Sequence, residues 1–154
     1  MRTHLSIAAA LSALFLSGVT ATAADVDKTV AQKNGWAQYA QSLQAVVDRV
    51  NQKCGSKLTA SYDKSTYLEF DQIKDRTQAA CQAGVGALGD VCITDAGKAA
   101  AKGISRATCK FSTAGTGVAV VDGTLIIKVD PANSSIAGKQ AGGYTWASAI
   151  KENM

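Results

Sequence analysis

All four cysteines of the chain, Cys54, Cys81, Cys92 and Cys109, lie in one central stretch, with none before or after it. An even number of thiols in a chain that opens with an export signal reads as two disulfides, a bracing that holds a small domain in an oxidising compartment. No Cys-x-x-Cys occurs, which removes the usual thiolate zinc and dithiol redox sites. Four cysteines allow three pairings. On one unbroken helix Cys81 and Cys92 would stand about 16 Å apart, beyond the ~7 Å that a disulfide tolerates between Cα atoms. A chain reversal at Gly84–Gly89 would bring them together. The expected pairing is therefore Cys81–Cys92 with Cys54–Cys109, and Cys54–Cys81 with Cys92–Cys109 follows closely.

The export signal is residues 1–23. Arg2 supplies a positive start, Leu5 to Leu16 is apolar with small serines, and Ala21-Thr22-Ala23 offers a small-x-small cleavage site before Ala24. The apolar run is short of the ~20 residues of a membrane span. The expected location is periplasmic or extracellular, with no membrane span. Removal of Arg2 lowers the formal net charge from +4 to +3, too mild for nucleic acid. The only histidine, His4, leaves with the signal. That excludes Ser-His-Asp and Cys-His catalysis and the common zinc sites, and no cofactor is expected.

Residues 24–33 are polar and aperiodic, a flexible leader to a single globular domain over 34–154. Trp36, Tyr39, Leu43, Val46, Val47 and Val50 recur at helical spacing and place Cys54 on the same face, between an Asn34 cap and a Gly55 stop. Leu58, Ala60 and Tyr62 alternate as a short strand. Thr66 and Glu69 form a capping-box pattern for a second helix, which Gly84, Gly86 and Gly89 should break. A third helix runs from Thr94 or Asp95 to about Arg106. Ala107, Cys109 and Phe111 then alternate. Val118–Val121 and Thr124–Val129 flank Asp122-Gly123, a type I′ hairpin signal. The turn pairs Val120 with Leu125 and Val118 with Ile127, and puts Ala119, Val121 and Ile126 on the other face. Thr145 to Asn153 is a closing helix. The fold class is α+β: an antiparallel sheet of about four strands, three of them a C-terminal meander, packed by the first helix and a central helix pair and braced by disulfides.

The motifs with chemical content are few. Gly84-Val85-Gly86-Ala87-Leu88-Gly89 fits G-x-G-x-x-G, but a helical pattern precedes it where a dinucleotide site needs a strand. Asp63 to Lys74 fails as a calcium loop, because Leu68 and Lys74 stand where the turn glycine and the closing glutamate belong. Its Asp63 and Glu69 are the pair to test for a carboxylate-dependent hydrolase of envelope or extracellular polysaccharide. Asn133-Ser134-Ser135 is a formal glycosylation sequon. Lys98, Lys102 and Arg106, four residues apart, would line one helix as a basic stripe. Ala119, Val121 and Ile126 are apolar where a wet strand face should be polar, so either the closing helix covers them through Trp146 and Ile150 or a partner does. The expected function is binding without catalysis, as an inhibitor, immunity, adaptor or chaperone-like protein acting on another exported protein. The hairpin face or the basic stripe would make the contact.

Overall fold

Thr29 opens the first helix, α1 (Val30–Cys54). Its hydroxyl accepts from the Gln32 backbone N–H while the Gln32 side chain accepts from the Thr29 N–H, so two orphan donors are satisfied together. This reciprocal cap starts the helix five residues before the Asn34 cap that the apolar pattern suggested. Helix α1 ends at Gly55 in the left-handed region, φ 63°. Asn51 then steers the chain into the sheet: its side-chain oxygen accepts from the Leu58 N–H at 2.7 Å and its amide donates to the Leu58 carbonyl at 2.9 Å. The computed structural model describes residues 29–67, 76–132 and 145–154. The cleavage site, Glu69 and the Asn133 sequon lie outside those residues.

Beyond Asn51 come β1 (Thr59–Tyr62), a short 3₁₀ turn (Lys64–Thr66), α2 (Arg76–Val91), α3 (Asp95–Lys102), β2 (Arg106–Phe111), β3 (Gly117–Val121), β4 (Thr124–Val129) and α4 (Trp146–Asn153). The hairpin is as the dipeptide predicts, with φ of 48° at Asp122 and 68° at Gly123 and Val120 opposite Leu125, Val118 opposite Ile127. The sheet is not the expected antiparallel meander. Its order is β1-β2-β4-β3, and β2 runs parallel to both β1 and β4. Strand β4 slips between β2 and β3, because the loop after β2 carries the chain past one strand position before the hairpin returns it. A local alternation identifies strands and their faces but leaves their neighbours open, which is why the meander was the wrong inference.

Ala107, Cys109, Leu125, Ile127 and Val129 form the inner face of this sheet and are buried, with Leu43, Val47, Val50, Val85, Leu88 and Ile150 above them. Helices α1 and α2 pack side by side over this face, and α4 lies against α2 and β3. Helix α4 therefore reaches the hairpin from the Val118 and Val120 side. Of the two alternatives for Ala119, Val121 and Ile126, coverage by this helix is not the one taken, because its own buried residues, Ala149 and Ile150, join the common core.

Helix α2 passes through Gly84, Gly86 and Gly89 without a break, against expectation. Each glycine costs about 1 kcal/mol in helix propensity, and Gly84 marks a close approach. A Cβ at Gly84 would meet Ile127 at 2.9 Å, and at Gly86 and Gly89 it would touch Val46 and Lys53 at 3.5 Å. Gly84 lets the helix down onto the sheet, whereas a Cβ at Gly86 or Gly89 would meet α1 at ordinary contact distance. The continuous helix in turn forbids Cys81–Cys92. The disulfides are Cys54–Cys92 and Cys81–Cys109, with Cα separations of 5.3 and 5.8 Å, so both favoured pairings are corrected. One bond ties the end of α1 to the residue just after α2, and the other ties α2 to β2. Closing loops of 38 and 28 residues removes about 4 kcal/mol of unfolded-chain entropy each, enough to offset the glycine cost.

Two disulfides, and the lack among the described helices of one long and apolar enough to cross a membrane, are consistent with an exported protein.

Candidate functional site

The outer face of the sheet follows from the pleat. With Ala107 and Cys109 turned into the core, Arg106, Thr108 and Lys110 on β2 face the other way. Parallel register sets Arg106 beside Thr59 and Thr124, Thr108 beside Ser61 and Ile126, and Lys110 beside Lys128. Beyond β4 the same face continues through Ala119 and Val121, of which Val121 is half exposed. The result is a surface with threonine and isoleucine at its middle and cations at both ends. Arg106 and Lys128 are exposed.

Lys110 is anchored. Its ammonium lies 3.2 Å from an Asp63 carboxylate oxygen, and the other oxygen accepts from the Ser65 hydroxyl at 2.6 Å. The Ser65 hydrogen bond holds the Asp63 carboxyl below its ordinary range; burial opposes it, and the Lys110 hydrogen bond and charge lower it further. Asp63 is thus ionised at neutral pH, which suits a base or nucleophile and not the proton donor of a glycosidase. Glu69, its expected counterpart, lies outside the described residues.

The expected basic stripe is divided. Gly103 follows α3 directly and ends the helix at Lys102. Lys98 and Lys102 stay in the helix layer, where Lys98 stands 3.8 Å from Asp95. Arg106 moves to β2 and the outer sheet face. The structure therefore brings Arg106 together with Ala119, Val121 and Ile126, adds Lys110 and Lys128, and leaves Lys98 and Lys102 elsewhere. Lys128 was missed, although the period-two phase that places Ile126 on the outer face places Lys128 there too.

Sequence reasoning also missed an aromatic cluster at the C-terminal ends of β1 and β2. Trp36 packs against Tyr67 and Tyr62 with ring centroids 5.5 and 5.9 Å apart, and Tyr67 meets Phe111 at 5.8 Å. Burial pushes the Tyr62 and Tyr67 phenols far above their ordinary range, so neither exchanges protons near neutrality. A groove of about 470 Å³ runs between α1 and α2, floored by Val46, Val50 and Gly86 and edged by Arg49, Lys53 and Gln82. It has no carboxylate in its lining. Among the described residues no three His, Cys, Asp or Glu side chains gather as a metal site would need. Comparison with family models, curated proteins and solved structures gave no match.

Proposed function

We propose that this is an exported, non-enzymatic binding protein that holds the acidic surface of another exported protein against the open face of its sheet. The observation that carries this reading is the pairing of Lys110 with Lys128 at adjacent register positions on a face that no described helix covers. Like charges on neighbouring strands destabilise a sheet, and Asp63 offsets only one of the two. An anionic partner offsets the other and engages Arg106 at the far end. The threonines and Ile126 between them supply a weakly apolar centre, the arrangement of an interface with a polar rim.

The test is a photo-crosslinking residue at Ile126 or, for comparison, at Ala99 on α3, in the organism that exports the protein. Crosslinks to an acidic protein should form from position 126 and not from 99. Reversing charge with Arg106→Glu and Lys128→Glu together should reduce their yield at least tenfold, and raised salt should do the same. Crosslinks that form equally from both positions, or that survive the charge reversal, sink the reading.

A further inference from the structure

Among the described residues β3 is an edge strand, and its register decides which of its backbone groups are spare. In a hairpin closed by a two-residue turn, Val121 and Thr124 exchange both hydrogen bonds. The bonding pairs then continue as Ala119 with Ile126 and Gly117 with Lys128. Val118 and Val120 consequently point their N–H and C=O groups away from the sheet, and no described residue pairs with them. Charge, proline and a bulge are among the devices that protect such an edge. Gly117-Val118-Ala119-Val120-Val121 has neither charge nor proline, and its pairing with β4 is unbroken from end to end.

We propose that β3 is a self-association edge, pairing antiparallel with β3 of a second copy about a twofold axis at Ala119. This inference does not rest on the acidic-partner reading, with which it shares only Lys128. The strand is self-complementary in that register: Val118 faces Val120 of the other copy, so the spare groups of each satisfy those of the other in both directions, and two small alanines meet on the axis. Charge favours it as well. With strands about 4.8 Å apart, each Asp122 comes within about 10 Å, Cα to Cα, of the other copy's Lys128, within reach of a lysine side chain. The two Lys128 residues are about 20 Å apart, beyond the ~8 Å over which salt lets like charges repel. The product is a continuous eight-stranded sheet, all helices on one side and two basic faces side by side on the other. A five-residue strand pair buries less than the ~1,200 Å² of a stable complex, so the dimer is weak, with half-dissociation between about 10 μM and 1 mM.

Sedimentation equilibrium of the full chain from about 10 μM to 1 mM tests it. The average mass should rise from monomer towards dimer, and a monomer throughout overturns the proposal. Ala119→Lys and Ala119→Glu each put like charges on the axis and should each weaken association at least tenfold, while an equimolar mixture of the two should associate at least as tightly as the wild type. Either variant alone associating like the wild type, or a mixture that stays monomeric, overturns it. Hydrogen exchange closes the remaining escape: the Val118 and Val120 amides should exchange quickly in dilute solution and slow as concentration rises. Protection at every concentration would mean that the chain covers its own edge, and would also overturn the proposal.

Discussion

Ile126 and Ile127 are the same residue one position apart, yet they inhabit different solvents. Ile127 is fully buried beneath α2, whereas Ile126 sits half-buried among threonines on the open side. The pleat alone separates them. Burial of the inner row, Leu125, Ile127 and Val129, together with the two disulfides, holds the fold. The outer row adds little to that stability, and its residues are thereby free to be chosen for what they meet.

The sharpest way to break this comparison is to truncate both isoleucines. Ile127→Ala should cost about 3–4 kcal/mol, since it opens a cavity under a helix that cannot settle into it. Ile126→Ala should cost less than about 1 kcal/mol. Urea unfolding midpoints measure both, and equal costs would mean that the sheet is covered on two sides.

The glycines of α2 sharpen the comparison from the helix side. Gly84→Ala gains about 1 kcal/mol of helix propensity but drives a methyl group into buried Ile127 at 2.9 Å. Overpacking of this kind costs about 1–3 kcal/mol, so the net effect should be a lower melting temperature. Gly86→Ala meets Val46 at an ordinary 3.5 Å and should raise the melting temperature by up to about 1 kcal/mol of added stability. Two substitutions two residues apart are thus expected to differ in sign.

The smallest effect belongs to the outer face. Because Asp63 titrates below its ordinary value when folded, its contribution is fully present above the unfolded pKa of about 3.9 and fades as pH falls through the lower folded value. The Asp63–Lys110 pair is partly exposed, so its worth is under about 1 kcal/mol. Asp63→Asn should leave the acid limb of the stability–pH curve slightly shallower. An unchanged curve would mean that Asp63 is not held by Ser65 and Lys110 in solution.

What the sequence made legible was local. The hairpin, its register and its two faces follow from Asp122-Gly123, because a two-residue turn leaves one way to pair the flanking strands. The buried face of α1 and the extent of α4 follow from apolar spacing. Helix α2 was not legible, since three glycines argue against a helix by propensity while the packing that favours it, including the close approach of Gly84 to Ile127, is tertiary. The same misreading led to the wrong disulfides. Sheet order failed for a related reason: β1, β2 and β4 meet across long sequence separations, and alternation does not encode a neighbour. Of the candidate site, the hairpin's outer residues were found, whereas Arg106 was assigned to a helix that Gly103, already visible in the sequence, brings to an end.

The two sulfur bridges overlap along the chain, since Cys81 falls within the loop closed by Cys54–Cys92 and Cys92 within the loop closed by Cys81–Cys109. A protease that severs any one peptide bond between Cys54 and Cys109 therefore releases nothing: at least one bridge spans every such cut, and both span a cut between Cys81 and Cys92. Wherever digestion is a hazard and reductant is scarce, a clipped molecule would remain one covalent piece.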